Sequence, residues 1–223
     1  MIQKALHSLV VRSDNFFLSY ITGGKFWQLK VTGFAFFLVL FFSFPNYQYF
    51  LSKENYDYAW DFNHQKVSEH NKQYRLTPIL IAQLYNTTHK VQVMAFLTFV
   101  EHLLGLLFFY LIISLAYDIT QDKLISTYFC LGFSFLFVGK DFFWDLSTWL
   151  IPFAYFFLML SIFARNSLLL FVSLFFGFWS DERVLLFSPI LFLWWKLYLP
   201  QKFKVFSLVY FANIFLYVGL RAY

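Results

Sequence analysis

Cysteine occurs once in the 223 residues, at position 130 inside an apolar run. A single thiol excludes an intrachain disulfide framework and any cysteine-built metal site, and Cys130 reads as a buried structural residue. Charge is nearly as scarce. Asp, Glu, Lys and Arg make up 13% of the chain, about half of the roughly 25% carried by soluble domains. The polar surface that a soluble fold needs is therefore missing. No internal repeat is detectable. No small-x-small cleavage site follows the first apolar run, where Phe44, Pro45 and Asn46 stand, so that run is expected to remain in place as a signal anchor.

What is present is apolar and aromatic. Hydrophobic residues are 60% of the chain, 35 residues are Phe, and the mean hydropathy is +0.60. Long apolar runs recur from Val31 onward, which predicts an all-α, polytopic transmembrane helix bundle forming one domain over 1–223, integral to the cytoplasmic (inner) membrane. The net charge of +5 comes from Lys and Arg scattered over loops and helix ends. That distribution fits membrane lipid as partner and does not describe a nucleic-acid surface.

Seven spans are predicted: Val31–Phe50, Val91–Tyr117, Leu124–Gly139, about Leu146–Ala164, Ser167–Trp179, Val184–Leu199 and Val205–Leu220. The basic arm over 1–30 places the N-terminus inside and hence the C-terminus outside. The segment "DITQDK" reads as a tight inner return. "FFGFWSDERVLLFSPILFLWW", residues 175–195, sets Asp181, Glu182 and Arg183 back to back in an apolar stretch. One continuous helix would put these charges mid-bilayer, at about 3 kcal/mol each on insertion scales. A helical hairpin turning at "SDER" is therefore expected.

This topology places Glu54, Asp57, Asp61, Glu69, Asp141, Asp145, Asp181 and Glu182 outside. In the polar first outer loop, 51–90, Asp57 and Asp61 are four apart and would share a helix face beside Trp60. Aromatic rings next to carboxylates suit a sugar or a lipid-linked headgroup, and equally suit an interfacial belt with solvated charges. His64 and His70 are six apart, which matches no usual metal-ligand spacing, and no metal site is expected. Tyr74–Asn86 carries Leu76, Ile79, Leu80 and Leu84 at helical spacing after Arg75, which predicts an amphipathic helix on the membrane. Arg75 there either meets a lipid phosphate or snorkels. Glu101 and His102 lie well inside the second span, either as a functional pair or as a hydrogen-bonded bundle clamp. Asn86-Thr87-Thr88 is a formal glycosylation sequon, relevant only in a eukaryotic lumen.

Two segments, "YRLTPILIAQLY" and "FFGFWSDERVLLFSPILFLWW", together with the span pattern, resemble bacterial membrane proteins of the GT-C glycosyltransferase-like group. The resemblance implies an enzyme that uses a polyprenyl-phosphate-linked sugar as donor. It implies that Asp57 or Asp61 is the general base on the acceptor hydroxyl, with inversion at the sugar carbon. Arg183 and Arg75 would neutralise the leaving phosphate, with Asp181 or Glu182 orienting that arginine or binding sugar. Trp60, Asp145, Glu101 and His102 complete the candidate substrate site. Members of the group commonly have more spans and a soluble outer domain, so on this resemblance the chain would be an N-terminal fragment or a reduced relative. The alternative is a non-enzymatic transporter or envelope-assembly subunit, in which Glu101, His102 and the outer acids form an ion or substrate path. No cofactor is specified by the residues.

Overall fold

The computed structural model describes residues 19–50, 76–85, 89–136, 142–143 and 150–221, without the side chains of 45–50, 78, 82, 90 and 150. All regular structure among the described residues is helical: α1 Trp27–Phe50, α2 Leu76–Gln83, α3 Lys90–Thr120, α4 Lys123–Ser134, α5 Leu150–Phe163, α6 Ser167–Phe178, α7 Arg183–Phe187, α8 Ile190–Tyr198 and α9 Phe203–Arg221, with a 3₁₀ turn at Pro200–Lys202. The all-α expectation therefore holds.

Among the described residues, segments of three helices are long and apolar enough to cross a membrane: Trp27–Phe44, Val91–Thr120 and Pro200–Arg221. At 1.5 Å per residue α3 is about 46 Å long, beyond the ~30 Å hydrocarbon core. α4, α5, α6 and α8 reach only about 14–21 Å.

Helix α1 buries one face and exposes the other. Val31, Ala35, Val39 and Ser43, each four residues apart, are buried, while Phe37, Phe41 and Phe44 point outward. An apolar outward face of this kind belongs against lipid rather than water. The buried face joins a core with Phe109 and Ile113 of α3, Cys130 of α4, and Phe142 and Phe143. Gly105 is the gap that admits this last pair, since a Cβ there would lie 2.9 Å from the Phe142 Cβ. The Cys130 thiol is buried and faces the Phe109 carbonyl at 3.8 Å.

The "DITQDK" return is as tight as predicted. Gln121 takes the left-handed conformation (φ 54°) and returns its N–H to the Tyr117 carbonyl, closing α3. Asp122 then opens α4, its Oδ1 accepting from the N–H groups of Leu124 (2.7 Å) and Ile125 (3.0 Å). α4 stops at Ser134, short of the predicted Gly139. Phe135 and Leu136 pair three residues back, with Gly132 and Phe133, and the Ser134 hydroxyl takes the Leu131 carbonyl.

A second core lies between α5, α6, α8 and α9, around Leu170, Leu174, Phe178, Trp195, Phe206 and Tyr210. The chain reverses between α6 and α8, as the hairpin reading expected. The Trp194 indole N–H reaches the Ile162 carbonyl at 3.1 Å. Lys202 Nζ donates to the Arg165 carbonyl, next to the residue that caps α6. The far end of α8 is therefore back at the start of α6. The predicted Val184–Leu199 segment is nevertheless two helices. Pro189 cannot donate to a helical ladder, and the Ser188 hydroxyl bonds both the Leu185 carbonyl and the Tyr210 hydroxyl, each at 2.9 Å.

Candidate functional site

The charge triplet sits in the break between α6 and α7. α6 frays through bonds from Trp179 to Phe175 and from Ser180 and Asp181 to Gly177. The Asp181 carboxylate then folds onto Arg183. Its Oδ1 accepts from the Arg183 backbone N–H and from Arg183 Nε, and its Oδ2 accepts from Nη2, all at 2.9 Å. A planar guanidinium matches a carboxylate in this two-point geometry. The two partners differ in setting: Asp181 is 1% exposed and Arg183 50%. The hydrogen bonds that Arg183 donates to Asp181 are the leading reason that its pKa is raised above its ordinary value. Glu182 stands beside them, half-buried. Within the turn expected at "SDER", Asp181 is buried and Arg183 is not. Because the turn bends back under Tyr155 and Ala154 of α5, the carboxylate is enclosed and Arg183 covers it.

Two neighbours of this turn were not picked out from sequence. Thr77, in the first turn of α2, donates its hydroxyl to the Phe176 carbonyl at 2.8 Å and its backbone N–H to the Trp179 carbonyl at 3.2 Å. The last carbonyls of a helix have no partner within it, and Thr77, 99 residues before Phe176, supplies two such bonds. Tyr217 of α9 meets Trp179 edge-on at 5.1 Å. Arg221 lies over the Tyr217 ring, also at 5.1 Å, and donates to its hydroxyl. A threonine and a C-terminal aromatic–Arg pair at i, i+4 carry no local sequence mark of such a role.

The α2 helix itself forms where the sequence predicted it. Thr77 and Ile79 are buried, and Leu76, Leu80 and Leu84 are exposed along one stripe. Arg75 lies outside the described residues, as do Asp57, Trp60, Asp61 and Asp145, together with His64, His70 and the Asn86 sequon.

Glu101 and His102 occupy a different place. Glu101 is 0% exposed. His102 sits between Phe143 (4.9 Å) and Phe36 (6.5 Å), both packed in the first core, whereas Trp179 and Val184, on either side of the charged turn, belong to the second. Among the described residues no group of three His, Cys, Asp or Glu side chains is arranged to hold a metal.

Below Arg183 a cavity of about 20 Å³ is walled by Ile151, Tyr155, Leu158, Asp181, Val184 and Phe187 among others. It shares Tyr155, Leu158 and Phe187 with a groove of about 660 Å³ that continues along Leu186, Ile190 and Leu193. Fold and site together define a helical membrane protein in which a buried carboxylate–arginine turn is joined to a loop helix. Compared with known proteins, the chain matches no family model, no curated protein and no solved structure.

Proposed function

We propose that the chain is a multi-pass protein of the cytoplasmic membrane with seven spans, N-terminus inside and C-terminus outside. On this reading it is a GT-C-type, inverting glycosyltransferase that acts at the outer face on a polyprenyl-phosphate-linked sugar. Asp57 or Asp61 removes the proton from the acceptor hydroxyl. Arg75 and the outward edge of Arg183 meet the leaving phosphate, and Trp60, Asp145, Asp181 and Glu182 border the sugar. The observation that carries this reading is the Thr77 double hydrogen bond. It joins the two segments on which the resemblance rests, 74–85 and 175–195, although they are far apart in the chain. Arg221, over the Tyr217 ring that meets Trp179, adds a further cation on this side when an anionic donor approaches.

Two contacts support the proposed grouping of helix ends. Lys202 with Arg165, and Lys123 with the Thr22 carbonyl, each join residues assigned to the inner side. The transport alternative leans on Glu101 in α3. Against it, the buried hydroxyls of Ser161, Ser173 and Ser180 bond carbonyls four residues back in their own helices instead of lining a shared path.

The test is sugar transfer in isolated membranes from a radiolabelled polyprenyl-phosphate sugar. Asp57→Asn or Asp61→Asn is expected to abolish transfer at unchanged protein level. Full activity in both variants removes the proposed base.

A further inference from the structure

The second bundle is charged very differently at its two ends. Between 150 and 221 the acids are Asp181 and Glu182 alone, and both follow the last turn of α6. Arg165 and Asn166 precede the first turn of that helix, and the ends of α8 and the start of α9 return there with Lys196, Lys202 and Lys204. All four cations are exposed. Among the described residues none of them is paired with a carboxylate. Asp118 and Asp122 belong to the α3–α4 return, where Asp122 caps α4.

Three contacts hold this corner together. Lys202 Nζ donates to the Arg165 carbonyl, so an ammonium and a guanidinium residue meet at one point. The Trp194 indole N–H donates to the Ile162 carbonyl at 3.1 Å, which fixes the end of α8 on the end of α5. The half-exposed Tyr198 ring stacks on Trp194 at 3.9 Å. Asn166 then caps α6, its side chain accepting from the Leu169 N–H at 2.7 Å, so the positive end of that helix dipole opens beside the cations. Every fixed charge at the corner therefore has the same sign. A guanidinium can donate two parallel bonds to a phosphate, and one carbonyl leaves a three-donor ammonium with capacity to spare. A zwitterionic headgroup would bring its ammonium against four cations with no acid paired to them. The surroundings favour a lipid over a soluble phosphate. Stacked Trp and Tyr rings suit the membrane–water interface, and Leu168 and Leu197, on the same ends of α6 and α8, are each 73% exposed.

We propose that the α5–α6 corner, closed by the end of α8 and the start of α9, seats a net-anionic phospholipid of the phosphatidylglycerol type. Its phosphate lies on Arg165 and Lys202, Lys196 and Lys204 strengthen the field around it, and the Trp194–Tyr198 stack borders its glycerol backbone. The acyl chains run past Leu168 and Leu197. The site is at the opposite end of α6 from the Asp181–Arg183 turn and stands independently of sugar transfer.

The experiment is native mass spectrometry of the full-length protein released from detergent micelles, titrated with phosphatidylglycerol or with phosphatidylethanolamine of identical acyl chains. Retained phosphatidylglycerol is expected with a preference of about 30-fold, from about fivefold for each of two basic residues at an anionic headgroup. Arg165→Gln leaves the Lys202 bond to the backbone carbonyl in place and is expected to weaken phosphatidylglycerol binding about fivefold. Arg165→Gln/Lys202→Gln is expected to remove the preference while phosphatidylethanolamine binds as before. Arg165→Lys/Lys202→Arg, which exchanges the two cations, should keep it. So should Lys25→Gln, which removes an exposed cation beside α1. Equal retention of the two lipids by the wild-type chain overturns the proposal, as does a preference that survives the double Gln variant or that Lys25→Gln lowers to the same extent. Binding of water-soluble glycerophosphoglycerol as strong as that of the lipid would show an ion site without a lipid and also overturns it. The readout is a lipid mass, so it is separate from the outcome of the transfer assay.

Discussion

Asp181 and Arg183 form a two-point ion pair, with both side-chain bonds at 2.9 Å, across the edge of the fold: the carboxylate is 1% exposed and the guanidinium 50%. Removing either partner has different consequences. A guanidinium without its acid is rehydrated where it stands, whereas a carboxylate without its arginine stays enclosed with its two charge-assisted side-chain bonds lost. Arg183→Gln is expected to destabilise the protein by about 2 kcal/mol, the size of a hydrogen bond to a charged group, measured by thermal unfolding in detergent. The double variant Asp181→Asn/Arg183→Gln should recover part of that loss, with a coupling of about 1–3 kcal/mol for contacting residues. Strictly additive effects would show that the pair contributes nothing as a pair.

The Thr77 hydroxyl is the other half of the junction. Thr77→Val keeps the shape and the backbone N–H but removes the bond to the Phe176 carbonyl, already shared with the Ser180 hydroxyl. A loss of about 1 kcal/mol is expected. If α2 is held on α6 by this bond, limited proteolysis should cut near α2 faster in the variant than in the wild type. Unchanged cleavage would mean that the Thr77 backbone bond to the Trp179 carbonyl and the burial of Ile79 hold the helix without the hydroxyl.

Gly105 faces the Phe142–Phe143 pair with no room for a side chain. Gly105→Val is expected to destabilise by about 1–3 kcal/mol, the range for overpacking a filled core. Gly219, with open space around a built Cβ, serves as the comparison. Gly219→Ala should be neutral or slightly stabilising, by up to about 1 kcal/mol of helix propensity. Equal melting temperatures for the two variants would contradict the close approach at Gly105.

Topology is open to labelling because the native thiol is out of reach. Cys130 is fully buried, so a membrane-impermeant maleimide should leave the wild-type chain unmodified in intact cells. Added one at a time, cysteines at Lys204 and Leu220 mark the two ends of α9. The proposed arrangement predicts labelling of Leu220→Cys from outside, and labelling of Lys204→Cys only after the membrane is opened. The reverse pattern inverts the orientation, and with it the face on which transfer is proposed.

Several elements could be read without coordinates because their causes are local. The α3–α4 return was legible in "DITQDK", since Asp122 caps the helix it precedes. The helix at 76–83 was legible in the spacing of Leu76, Ile79, Leu80 and Leu84. The break at "SDER" followed from the penalty on mid-bilayer charge. Less local features were misjudged. The Val184–Leu199 stretch looked continuous because its composition is uniformly apolar, yet Ser188 and Pro189 divide it where the Tyr210 hydroxyl waits on another helix.

The site divides in the same way. Asp181, Glu182 and Arg183 stood out because charge in an apolar run is conspicuous. Nothing in one dimension marked Thr77 or Tyr217 as their neighbours, because Thr77 acts on carbonyl groups left over at the end of a helix 99 residues away. Nor could sequence decide that Asp181 is enclosed while Arg183 is not.

The amino-acid sequence by itself determined that the chain is helical and belongs in a membrane. Composition and the 3.6-residue period act on each segment independently, and backbone groups in lipid must pair within their own helix. Only the tertiary structure decided which segments meet. It packed α2 against the end of α6, laid a groove between α5 and α7–α8, and set His102 among the aromatic rings of the first core. Those outcomes depend on where carbonyls are left unpaired and where a glycine leaves space, which are properties of the packed bundle and not of any single run of residues.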